Sequence, residues 1–215
     1  LCQSFIALGL SSAARDRLNQ LTDVSTPKQF NKPEPTTPLS LNVCQLSARL
    51  NGALSGPSQV SFNLQSGDVL LISGASGSGK TTLLQALANQ LAFSGAINLN
   101  GLSYAEWQLS NTVGYLPQQP DLFDLTLAQN LRLGAPDATD QQLWQVLDDV
   151  ALSDWVKSQP QQLDTVMGEY GAAVSGGQAR RIALARLLLT QRPVLLLDEP
   201  FAGLDPDSTA HVLKS

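Results

Sequence analysis

The sequence predicts an α/β fold in which a mixed central sheet, a small antiparallel β subdomain and an α-helical subdomain surround a phosphate-binding loop. Three observations carry this. The stretch Gly74-Ala75-Ser76-Gly77-Ser78-Gly79-Lys80-Thr81 has the spacing that lets backbone N–H groups converge on a polyphosphate. In that pattern Lys80 reaches the β/γ-phosphates and Thr81 offers its hydroxyl to Mg2+. A buried-strand pattern precedes the loop and a helical pattern follows it, the order such a loop requires. Farther on, Pro193-Val194-Leu195-Leu196-Leu197-Asp198 is a continuous apolar run of the kind found in central parallel strands, and it ends in two acids, Asp198 and Glu199. The expected ligand is a nucleoside triphosphate.

In residues 1–24 apolar side chains recur at helical spacing (Phe5, Ile6, Leu8, Leu10, Leu18, Leu21). Arg15, Asp16 and Arg17 arrive too soon for a bilayer span, and no basic segment precedes them as in a signal peptide. The stretch reads either as an ordinary packing helix or as the end of a truncated transmembrane or coupling helix, both ends of the chain looking like cuts in a longer polypeptide. Residues 25–38 hold Pro27, Pro33, Pro35 and Pro38 among polar residues, a composition that favours an extended linker and puts a domain boundary there. Residues 39–50 and 58–64 alternate as antiparallel strands do, with Asn51-Gly52 as a turn signal between them.

Residues 68–73 read as a buried strand, and residues 81–88 as a helix whose N-terminal dipole faces the phosphates. Residues 95–101 and 112–116 are further strands, the second stopped by Pro117 so that Gln118 lies in a loop. The pattern then turns helical over residues 126–131 and 140–150 and near Trp155. Asp137-Ala138-Thr139-Asp140 offers capping residues to the second of these. A helical subdomain over about residues 119–180 is expected, and residues 175–190 form a further helix opened by Gly176-Gly177.

At 215 residues the chain is long enough for one substantial core, and a formal charge of −5 leaves no electrostatic footprint for nucleic acid or an anionic membrane surface. Cys2 and Cys44 form neither a metal spacing nor a disulfide framework, which suits a reducing compartment, and read as small apolar residues.

A carboxylate at the C-terminal end of a core strand sits where ligands bind in open α/β sheets. Asp198 is accordingly the expected Mg2+ residue, acting through water, and Glu199 the general base for an attacking water. Val174-Ser175-Gly176-Gly177-Gln178, followed by Arg180-Arg181-Ile182-Ala183-Leu184-Ala185-Arg186, places a hydroxyl and glycine N–H groups at a helix N-terminus, a second site suited to an anion.

From about residue 39 onward these motifs, in this order, resemble the nucleotide-binding domain of ABC transporters. Ser175 to Gln178 fits the family's Leu-Ser-Gly-Gly-Gln signature, with Val174 replacing the leucine. The resemblance implies a P-loop NTPase of the ABC ATPase type that binds ATP and Mg2+ and hydrolyses the nucleotide. Gly74 to Thr81, with Thr82, would hold the nucleotide; Thr81, Gln118 and Asp198 would serve the metal. Glu199 and Gln118 would be catalytic, Gln118 matching a glutamine loop that senses Mg2+ and touches the membrane domain. Ser175, Gly176, Gly177 and Gln178 would close on the γ-phosphate of ATP held by an opposite domain. Ala202-Gly203-Leu204-Asp205 looks like the loop that crosses that interface, which assigns Asp205 to it. Thr165-Val166-Met167-Gly168-Glu169-Tyr170-Gly171 is similar to a segment typical of exporters.

Among exporters, residues 12–23 before the Pro-rich linker resemble the junction of CydC-type subunits, halves of a heterodimeric thiol (cysteine/glutathione) exporter that supports cytochrome bd assembly. This implies a second half-transporter arranged head to tail, a transmembrane domain in the same polypeptide, and a small thiol cargo not bound by this domain. It also implies a place on the cytoplasmic face of the bacterial inner membrane. Export of lipid or peptide is the alternative within the class; a DNA-repair or chromosome-maintenance ATPase is the alternative outside it. Two positions depart from the family. Its adenine-stacking aromatic falls near Leu50, where none is present, and its switch histidine falls beyond Ser215, so that His211 reads as a helix-surface residue.

Overall fold

The computed structural model describes residues 34–200, apart from 36, 37, 51, 54, 169, 170 and 172. These residues belong to a compact unit, Glu34–Ser215, separate from Leu1–Pro33. The expected N-terminal helix, most of the linker, Asp205 with its loop, and His211 lie outside the described residues.

Two sheets form among the described residues. The first is antiparallel, in the order β2 (Val60–Gln65), β1 (Ser40–Ala48), β3 (Phe93–Leu99), β4 (Leu102–Ser103). Alternation in β1 puts Leu41, Val43, Leu46 and Ala48 inward, and a bulge after Val43 with Gln45 at φ 48° resets the register so that both halves keep the apolar face buried. Gly95 crosses β3 at this bulge with φ 92°, and any Cβ there would run into the carbonyls of Cys44 and Gln45. Cys44, read as a small apolar residue, lies exposed on β1, because the alternation gives it the solvent face. Leu83, Leu84, Ala86 and Leu87 of α1 (Lys80–Leu87) pack on the sheet and share one apolar cluster with Ile97, Leu99 and Tyr104.

The second sheet pairs β5 (Val113–Leu116) in parallel with β6 (Val194–Leu197). A separate apolar cluster unites α2 (Leu127–Arg132), α3 (Asp140–Asp149), α4 (Ser153–Ser158) and α5 (Gly176–Leu189). Each of α2, α3 and α5 begins with a reciprocal cap in which a hydroxyl accepts from the N3 amide and the N3 glutamine side chain reaches back: Thr126 with Gln129, Thr139 with Gln142, Ser175 with Gln178. The helical boundaries follow the sequence expectation to within two residues because these caps are local.

Two strand expectations fail. Residues 68–73 form no strand among the described residues, and Val69 and Leu71 are 93% and 87% exposed, with Ile72 alone of the segment packed against a core cluster. An apolar run records the wish to be buried, but a strand exists only with a ladder partner, and no described strand pairs with this one. For the same reason β6 is not central among the described residues: there it has β5 on one side only, and Leu195 stays exposed.

Asn130, in α2, is fully buried. Its Nδ2 donates to the carbonyls of Phe123, Leu125 and Thr126, and its Oδ1 accepts from the Phe123 amide at 3.0 Å. One side chain therefore folds the loop that follows Gln118. Asn130→Ala leaves these buried groups unpaired and is expected to lower stability by about 3 kcal/mol, read as a shift of the denaturation midpoint.

Candidate functional site

The loop between residue 73 and α1 turns tightly. Gly77 and Gly79 have φ 78° and 92°, and Pro57 Cδ lies 2.8 Å from the position a Cβ on Gly79 would take, so both conformation and space demand glycine at Gly79. Ser78 N–H donates to Ala75 O within the loop. Gly79 caps α1 without any side-chain hydrogen bond, leaving its helix N-terminus uncovered by side chains. Lys80 Nζ curls back to donate to the carbonyls of Gly74 (2.9 Å) and Ala75 (3.0 Å), which holds the ammonium at the centre of the loop. Ser76 lies exposed in the same turn, whereas Thr82, in the first turn of α1, is buried.

Because β5 and β6 run parallel in register, the residues just beyond their C-terminal ends come side by side. Asp198 N–H continues the ladder onto Leu116 O. Asp198 is only 3% exposed, and its Oδ2 accepts from Thr81 Oγ1 at 2.7 Å across 117 residues of sequence. No cationic side chain among the described residues pairs with it. Its charge and burial together push the Tyr115 hydroxyl above its ordinary pKa, burial being the larger cause. Glu199 is exposed, adopts φ 52°, rare for a residue with a Cβ, and accepts at Oε2 from Gln118 Nε2 at 3.0 Å. Lys80, Thr81, Gln118, Asp198 and Glu199, drawn from three distant segments, thus converge at one end of the parallel sheet.

Ser175 and Gln178 are engaged in capping α5, each accepting from the other's backbone amide. Gly176 has open space where its Cβ would be. Packing among the described residues therefore does not require glycine there, and they leave the N-terminal turn of α5 open to an outside group.

A protein-family model described as "ABC transporter" matches residues 57–202. The chain belongs to the ABC transporter family. Its fold is that of an ABC ATPase domain of the P-loop type. The glutathione/L-cysteine transport system ATP-binding/permease protein CydD of Bacillus subtilis (strain 168) is 39% identical over 158 residues, 72% of this chain and 28% of that protein. The CydD protein of Escherichia coli (strain K12) is 39% identical over 167 residues, 75% and 28% of the two chains. The mitochondrial iron-sulfur clusters transporter ATM1 of Debaryomyces hansenii is 35% identical over 159 residues, 72% and 23%. The structure of a bacterial Atm1-family ABC exporter with ATP bound matches with a TM-score of 0.81 and 28% identity, covering 94% of this chain and 36% of that one. The chain thus spans about a quarter of the length of the curated relatives.

In this ABC transporter domain the residues fit a magnesium nucleotide. Among the described residues no cluster of three acidic, histidine or cysteine ligands exists. Magnesium bound with a nucleotide needs no such cage, since one carboxylate and the phosphates carry it. A buried carboxylate without a cationic partner, next to the Thr81 hydroxyl and the phosphate loop, provides that donor set.

Two arginines quoted with the signature, but given no role from the sequence, tie this site to the signature helix. Arg180 donates to Gln118 O (2.6 Å), and Arg186 to Asp121 O (3.0 Å), while the Arg186 guanidinium also lies 5.9 Å from the centre of the Phe123 ring. Burial lowers the Arg186 pKa and the nearby Asp121 charge partly restores it. The signal available was only the three arginines Arg180, Arg181 and Arg186 in α5. Loop residues 118–123 and α5 are thereby fastened together at both ends of the loop.

Proposed function

We propose that this chain supplies the ATP-binding and ATP-hydrolysing part of an ABC exporter half-transporter. The observation that carries it is the contact of Thr81 with buried Asp198, beside the Gln118–Glu199 hydrogen bond. Gly74, Ala75, Ser76, Gly77, Ser78, Gly79 and Lys80 would hold the phosphates with backbone amides and one ammonium, joined by the Thr82 amide in the first turn of α1. Thr81 and Asp198, with Gln118, would hold Mg2+, which when bound neutralises charge on the phosphates. Glu199 then takes a proton from the attacking water, positioned by the Gln118 amide.

Among the described residues nothing fills the space beside Gly176, in the turn that also holds Ser175, Gly177 and Gln178. We assign them, with Asp205, to a partner domain's nucleotide in a head-to-tail pair. Similarity to CydD proteins favours a small thiol, glutathione or cysteine, as the cargo of the whole transporter at the bacterial inner membrane. Similarity to Atm1 proteins supports a second reading, export of a different cargo through the same ATPase cycle. Uptake of radiolabelled glutathione into inverted vesicles, driven by ATP and lost in a Glu199→Gln transporter, supports the first; ATP-dependent transport without glutathione uptake supports the second.

If each site is composite, dilution separates its halves. Specific ATPase activity of the domain with its partner is expected to fall more than proportionally on dilution, because linkage through membrane segments normally supplies an effective concentration in the roughly millimolar range. High specific activity independent of concentration would remove the composite site.

A further inference from the structure

The parallel pair β5–β6 turns its two faces to different neighbours. Leu116 and Leu197 belong to the helical cluster, whereas Tyr115 and its cross-strand partner Leu196 belong to the cluster of α1 and the antiparallel sheet. Side chains alternate along an extended chain, so Asp198, two residues beyond Leu196, falls on the Tyr115 face. The bond from Asp198 to Thr81, in the first turn of α1, agrees with this. Tyr115 and Asp198 therefore share the space between α1 and the C-terminal end of the parallel strands.

Each holds an atom without a partner there. The Tyr115 hydroxyl is sealed from solvent and makes no hydrogen bond. Asp198 is buried, Thr81 donates to its Oδ2, and no described residue donates to its Oδ1. Burial, and after it the Asp198 charge, favour the protonated phenol, so the hydroxyl keeps a proton to donate. A buried donor without an acceptor is costly, and so is a half-bonded buried carboxylate, and one hydrogen bond between them removes both costs.

We propose that Tyr115 is a positioning residue for Asp198: in the nucleotide-bound domain its hydroxyl donates to Asp198 Oδ1, and with Thr81 on the other oxygen it fixes the plane of the carboxylate. The proposal rests on the reading of Asp198 as the Mg2+ residue. A carboxylate oxygen has two lone pairs, so Oδ1 can accept from Tyr115 and still accept from a water. A carboxylate held at both oxygens loses less freedom when it serves a metal, which is why such supporting hydrogen bonds strengthen metal binding.

The test uses the intact membrane-embedded transporter and a radiolabelled, hydrolysis-resistant ATP analogue, bound with saturating Mg2+ and again in EDTA. Tyr115→Phe removes the hydroxyl and keeps the ring. It is expected to weaken binding with Mg2+ by about 10-fold, while changing binding in EDTA by less than about twofold. The denaturation midpoint without ligand should not fall, because no hydrogen bond is lost. On an Asp198→Asn background the same change is expected to add less than about twofold. Unchanged binding with Mg2+ in Tyr115→Phe would overturn the proposal. So would equal weakening with and without Mg2+ or a lowered midpoint, which mark packing, or an undiminished effect on the Asp198→Asn background, which gives the hydroxyl another acceptor. If Lys80→Ala binds the nucleotide as wild type does, or Mg2+ adds nothing to wild-type binding, the phosphate-loop or the metal reading fails first and takes this proposal with it.

Discussion

Glu199→Gln is expected to lower ATP turnover by about 10²–10⁴-fold while leaving ATP binding intact, the cost of losing a general base. The substitution keeps length and planarity, and the new amide oxygen can still accept from Gln118 Nε2, so the 3.0 Å contact need not break. Glu199 is exposed, so no buried group is orphaned and stability should hardly change. Its backbone at φ 52° costs the same with either side chain, since both carry the Cβ that makes this region strained. What disappears is only the capacity to take a proton. Single-turnover hydrolysis in the assembled transporter, with ATP binding measured alongside, separates the two effects. Near-normal hydrolysis at that site would exclude Glu199 as the base.

Lys80→Ala is expected to lower ATP affinity by about 100-fold or more, since hydrogen bonds to a charged group contribute about 1.5–3 kcal/mol each and the ammonium has several to give. At present those donors go to Gly74 and Ala75 within the loop. The carbonyls are exposed enough to be hydrated once the ammonium is gone, so the loss should fall on the ligand more than on the fold. Equilibrium binding of Mg·ATP checks this, with circular dichroism as the control on folding. Equal affinity in mutant and wild type would deny Lys80 its role.

Much of this protein was legible because the relevant signals are local. Gly77 and Gly79 state a backbone conformation, Thr126, Thr139 and Ser175 state helix starts, and alternation in residues 40–48 states which face of β1 is buried. Such features depend on a few neighbouring residues, and the chain carries them wherever it is placed. The order of the loop, the paired acids and the signature likewise identified an ATPase domain before any contact was known.

Contacts between distant segments were not legible. Nothing in residues 118–126 says that Asn130 binds three of their carbonyls, nor that Arg180 and Arg186 fasten the same loop to α5. The sequence proposed Thr81 and Asp198 for one metal, but only the packing of α1 against β6 brings the carboxylate to the hydroxyl. The misread strand at residues 68–73 has the same origin. Hydrophobicity is a property of the residues themselves and can be read from their names. Pairing, burial and charge placement are properties of two segments at once, so they exist only when the tertiary structure has brought both segments together.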